Sequence, residues 1–222
     1  MNSKLSSFGR KGFTLMEMMV VLVIIGVLSV ALMPAIEKAL DSAKMTASEK
    51  NMANMFQDLL MYRTNGGGTT WPRENGQEFL LAPWRAKTFA HTSKNAGVYY
   101  SPALPFEEIV IGRGNDLDVV EFLDGPIGAY GEDYIISYAG FTMDGDPSIR
   151  KGLNRNPGST TIASDREWVH RSAVIYMRGD GAVMRYPALE IEEATGLEFE
   201  FDEIFTPGPG CGVPELETVS SN

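Results

Sequence analysis

Cysteine and histidine are nearly missing from this chain. Cys211 is the single cysteine, and His91 and His170 are the only histidines among 222 residues. One thiol permits no intramolecular disulfide, and neither a Cys/His zinc cluster nor a phosphate-binding glycine loop occurs. There is no Gly-x-Ser-x-Gly elbow and no His-Glu-x-x-His helix. No catalytic constellation assembles from the remaining His, Asp and Ser residues, so the sequence reads as a non-enzyme. Cations are scarce as well: 19 Lys and Arg stand against 29 Asp and Glu, a formal charge of −10. That balance argues against nucleic acid as a partner, because non-specific binding to phosphate needs a basic surface.

Charge of either sign is absent from Met18 to Ile36. These 19 residues come close to the ~20 that an α-helix needs to cross a bilayer core. Before them lies a polar, acid-free stretch with Lys4, Arg10 and Lys11. It keeps this end on the cytoplasmic side by the positive-inside rule. Between the two stands Glu17, a carboxylate at the edge of the apolar run. An ionisable group in that setting costs roughly 2.5–3.5 kcal/mol on insertion scales, and calls for a partner.

The order Lys11-Gly12-Phe13-Thr14-Leu15-Met16-Glu17, followed by the apolar run, resembles the N-terminal signature of type IV pilins and of the pseudopilins of type II secretion. The resemblance covers about the first 40 residues. It implies that prepilin peptidase cuts after Gly12 and methylates Phe13. Glu17 would then meet the freed Phe13 amine of a neighbouring subunit as helices pack into a filament. Losing Lys4, Arg10 and Lys11 takes the formal charge from −10 to −13. The implied partners are further copies of the chain, prepilin peptidase, the inner-membrane assembly machinery and the membrane itself. The implied location is the cytoplasmic (inner) membrane, single-pass, with the C-terminal part exported, and a pilus or pseudopilus after assembly. Two other readings compete: a monomeric, membrane-anchored module that uses the signal only for export and display, and a secreted protein cut after Ser29-Val30-Ala31 by signal peptidase.

Beyond the apolar run, Ile36, Ala39, Leu40, Ala43, Ala47, Met52, Met55, Phe56, Leu59 and Tyr62 recur at three- and four-residue steps. This periodicity predicts one helix running to Asn65, where Gly66-Gly67-Gly68 ends it. From Phe13 to Thr64 it would measure roughly 78 Å at 1.5 Å per residue. Pro83-Trp84 reads as a turn after Phe79-Leu80-Leu81. Val98-Tyr99-Tyr100, Ile109-Val110-Ile111 and Tyr134 to Tyr138 read as short strands. Thr160 to Ala163 reads as another. Ser172–Met177 and Ala182–Tyr186 around Arg178-Gly179-Asp180-Gly181 read as a β-hairpin. Leu197, Phe199 and Phe201 alternate with acids as in a half-buried strand. The predicted fold is α+β: a long N-terminal helix packed on a C-terminal antiparallel sheet. The division is 1–12 leader, 13–36 membrane half of the helix, 37–65 amphipathic half, 66–205 globular domain and 206–222 a flexible Pro/Gly-rich tail.

Two looser resemblances complete the reading. His170 and Asp180-Gly181 are similar to a His-x9-Asp-Gly signature of bacterial pilin-like proteins, in which the Asp-Gly occupies a hairpin turn. Asp144 and Asp146, near Asp133 on a Gly/Pro-bent loop, look like the aspartate loop of the major type II pseudopilin. That likeness names calcium as the one candidate cofactor. A melting temperature that ignores millimolar calcium would dismiss the site. Each histidine is expected to meet a backbone group.

Overall fold

The computed structural model describes residues 13–65, 70–110, 118–127, 135–143, 147–167, 169–170, 172–196 and 205–220. The chain divides into two compact units, residues 1–40 and 41–222. Helix α1 (Leu15–Asn65) contains 51 residues. In the second unit its buried residues are Met45, Ser48, Met52, Met55 and Leu59, at steps of three and four. The stripe differs from the predicted one at its start. Ala43 is exposed, and Met45 and Ser48 take the inward positions.

Five strands form one antiparallel sheet in the order β4-β3-β2-β1-β5. They are β1 (Tyr138–Phe141), β2 (Thr161–Asp165), β3 (Ala173–Arg178), β4 (Val183–Pro187) and β5 (Val219–Ser220). Tyr138 pairs with Asp165, Ser164 with Tyr176, and Val174 with Tyr186. The predicted hairpin is β3–β4. Asp180 Oδ1 accepts from the Ala182 N–H at 3.0 Å, and Gly181 adopts φ +87°. Both features suit Asp-Gly in a tight turn. The α+β architecture is as expected.

β3 is buried on both faces because it separates two cores. Ala173, Ile175 and Met177 join Met45, Met52, Met55 and Leu59 of α1, with Phe79, Trp84, Phe122, Phe141 and Ile162. Val174 and Tyr176 face the other way, against Ile191, Phe205, Val213 and Leu216. Residues 206–220 are therefore not a free tail. Phe205, Val213, Leu216 and Val219 are buried, and β5 pairs with β1 through Gly140–Ser220 and Phe141–Val219. The prolines and glycines there shape turns under a packed face, and apolar burial outweighs their entropy.

The middle of the chain is mostly helical where strands were expected. Gly97–Tyr99 is a 3-10 turn, following α3 (Ser93–Ala96). Phe106–Ile109 is helix α4, begun after Pro105 with Glu107 and Glu108 in its first turn. Ile111 lies outside the described residues. Ile135 to Ser137 bend instead of extending, because their N–H groups already have partners. Gln77 Oε1 accepts from Ile135 and Ile136, and the Tyr99 carbonyl accepts from Ser137. Helix α2 (Gln77–Arg85) runs through Pro83, the predicted turn, since every residue from Phe79 to Trp84 is buried. The remaining described helices are α5 (Val119–Asp124), α6 (Pro147–Arg155) and α7 (Ala188–Thr195), with 3-10 turns at Pro157–Ser159 and Pro214–Leu216. The acidic strand expected near Leu197–Phe201 lies outside the described residues.

Candidate functional site

Helix α1 begins in a closed polar knot. Glu17 Oε2 accepts from the Thr14 backbone N–H at 2.8 Å and from the Thr14 hydroxyl at 2.9 Å. The Thr14 hydroxyl oxygen in turn accepts from the Glu17 N–H at 3.2 Å. This reciprocal arrangement is a capping box, and it satisfies two backbone donors that no helical carbonyl reaches. The carboxylate also lies in the first turn, where the helix dipole favours negative charge. Phe13, just ahead of the knot, is 82% exposed.

Every residue from Phe13 to Leu40 is exposed. Among the described residues α1 is the one helix long and apolar enough to cross a membrane by length and composition. A surface of Leu, Val, Ile and Met on this scale is unfavourable in water, and finds its match in lipid or in the same face of another helix. Pro34 sits within α1 and carries no N–H for the carbonyl one turn back.

Of the residues singled out from sequence, Phe13 and Glu17 lie at this helix start. Gly12 lies outside the described residues, as do Asp144, Asp146 and Asp133. Thr14 is the residue that sequence reasoning missed. The signal was present, since Thr14-x-x-Glu17 ahead of an apolar run is the capping-box pattern.

The histidines divide. His91 meets a backbone group as expected, its Nε2 lying 2.9 Å from the Trp84 carbonyl oxygen. Its ring also stacks on Trp84 at 4.0 Å, with Nδ1 3.0 Å from Asp124 Oδ1. His170 meets no backbone group among the described residues. Its ring is fully buried, Nδ1 lies 3.5 Å from Asp41 Oδ1, and Nε2 lies 3.9 Å from Asp165 Oδ2.

A capped glutamate at the head of an uncharged exposed helix, with an antiparallel sheet on the same helix's later turns, is a pilin-like α+β arrangement. Residues 8–33 match the family model of the prokaryotic N-terminal methylation motif. With the long N-terminal helix, that match fits a type IV pilin- or pseudopilin-like protein, and it indicates a prepilin-type substrate with a membrane anchor. No curated protein and no solved structure matches the chain.

Proposed function

We propose that this chain is a structural subunit, cut after Gly12 by prepilin peptidase, methylated at Phe13 and assembled into a type IV pilus or a type II secretion pseudopilus. The observation that carries the reading is Glu17, held by its own Thr14 at the start of a helix whose side chains from Leu15 to Leu40 are all exposed. In lipid a carboxylate and a free ammonium are both costly, and pairing them between subunits relieves both while fixing axial register. The capping box supports an order of events. The lone subunit keeps Glu17 satisfied within its own chain, and assembly offers the same carboxylate a charged donor. Packing of apolar helix faces then drives association, and contacts that do not close on themselves build a filament.

The test is electron microscopy of material sheared from cells making the wild type or Glu17→Ala. Wild-type cells are expected to yield filaments containing this chain. The variant is expected to insert and be processed normally, yet to lower filament yield at least tenfold. Undiminished filaments from Glu17→Ala would remove the carboxylate from this role. A wild-type chain that stays monomeric in the membrane would favour the display module instead.

A further inference from the structure

Copies of a chain with a formal charge of −10 repel one another, so contacts between their second units need local cations. The cations are unevenly spread. Between Asp146 and Asp165 the sequence contains no acid, yet it contains Arg150, Lys151 and Arg155. All three fall on α6. Arg150 is engaged inward, donating to the Trp71 and Pro72 carbonyls. Lys151 and Arg155, one turn apart, are exposed, and among the described residues neither has an ion-pair partner.

The acids collect elsewhere. A groove of about 370 Å³ is walled by Tyr100, Pro102, Pro105, Phe106 and Val119. Glu107 of α4 stands in its lining, with Glu108 beside it and Asp118 and Glu121 at the start of α5, and all four are exposed. Neither α4 nor α5 contains a Lys or Arg. Among the described residues Glu107 and Glu108 form no ion pair. The walls are tied to the core. Asn51 of α1 donates to the Tyr100 carbonyl at 2.9 Å, the Ser101 and Ser48 hydroxyls lie 2.8 Å apart, and the Tyr100 and Phe106 rings meet edge-on at 5.3 Å.

Such a groove matches a long cationic side chain. The methylene stem covers proline and aromatic surface while the charged head reaches the carboxylates at the lip. Aromatic walls add their own attraction for a cation. We propose that α6 of one copy docks over the α4–α5 groove of the next, with Lys151 and Arg155 lying along its apolar walls and pairing with Glu107 and Glu108. This contact rests on the self-assembly proposed above, and it joins second units while apolar helix faces pack.

The two surfaces lie on different flanks of α1. The groove reaches that helix at Asn51. α6 lies by the hairpin turn, with Leu153 against Gly179, and the turn meets α1 at Phe56. At 3.6 residues per turn, Asn51 and Phe56 stand about 140° apart around the helix axis and roughly 7.5 Å apart along it. The union of groove and α6 therefore joins two copies head to tail. It leaves a free groove at one end and a free α6 at the other, the condition for growth into a filament.

The experiment uses the full chain in cells, treated with a water-soluble carbodiimide, which joins an ammonium to a carboxylate where the two touch. Peptides from the dimer band of a denaturing gel are mapped by mass spectrometry. Filament yield is read by electron microscopy of sheared material. A link from Lys151 to Glu107 or Glu108 is expected in the dimer band. Lys151→Glu with Arg155→Glu is expected to abolish that link and to lower filament yield about fivefold. Glu107→Lys with Glu108→Lys is expected to do the same. Combining all four substitutions restores opposite charges across the contact, and is expected to bring yield back to within about twofold of the wild type. A purely structural role for these side chains predicts no such recovery. The inference is overturned by a dimer band without the link, by links from Glu107 or Glu108 to a different protein, or by a folded fourfold variant that regains nothing. Where a variant does not fold, the wild-type link decides alone. If wild-type cells make no filaments, the assembly reading fails by itself, and the dimer-band link in membranes still decides whether copies meet through α6 and the groove.

Discussion

A single methyl group distinguishes the two glycines that the seams of this fold depend on. A Cβ on Gly140 of β1 would lie inside the van der Waals boundary of the Gly76 carbonyl oxygen, where the backbone entering α2 crosses the strand. That backbone is pinned, since the Gly76 N–H donates to the Phe141 carbonyl at 2.8 Å. A Cβ on Gly181 would meet the edge of the half-buried Phe56 ring, which can rotate aside, and the remaining cost is the positive φ. Gly140→Ala is therefore expected to lose about 3 kcal/mol or more in denaturant unfolding. Gly181→Ala is expected to lose about 1–2 kcal/mol. Equal losses would mean that the α2 entry is free to move. Only Gly181 was legible in sequence, because Asp-Gly between two β-forming runs announces a turn. Gly140 carries no local signal, since its constraint comes from a segment more than sixty residues away.

At the scale of elements, the C-terminal segment is where the structure departs furthest from expectation. Thr206 to Pro214 has the composition of a mobile tail, and the chain instead lays it over the second face of the sheet. Val213 and Leu216 close on Val174, Tyr176 and Ile191, and the Thr218 hydroxyl donates to the Thr161 carbonyl at 2.7 Å. Leu216→Ala is expected to lower unfolding stability by about 2–5 kcal/mol, the usual range for emptying a fully buried leucine site. A tail that was free in solution would give no change. A hint was present in β3, whose Ala-Val-Ile-Tyr-Met run does not alternate with polar residues. Such a run marks a strand covered on both sides. The opposite error occurred at Val98-Tyr99-Tyr100. There β-forming side chains predicted a strand, yet Tyr99 is buried in a 3-10 turn whose carbonyl serves Ser137.

For the whole molecule, the proposed processing would give a mature form that begins at Phe13. Mass spectrometry of the chain isolated from membranes is expected to find Phe13 at the N-terminus, carrying one added methyl group. An N-terminus still at Met1, or one just past Ala31, would contradict processing at the prepilin site. The −13 charge which that form would carry favours solubility of the residues beyond the apolar run. It also leaves the apolar face of α1 as the surface through which copies of the chain associate in the proposed assembly.

Sequence alone determined the parts of this protein in which near neighbours along the chain decide the outcome. The uncharged run, the glutamate at its head, the three- and four-residue periodicity of α1 and the Asp-Gly hairpin all follow from local spacing and backbone sterics. Only the tertiary structure decided which strands lie beside one another, that residues 205–220 cover the sheet, and that His170 stands between the carboxylates of Asp41 and Asp165. Those outcomes depend on apolar burial and on low-dielectric contacts between residues far apart in the chain, and such contacts leave no periodic trace in it.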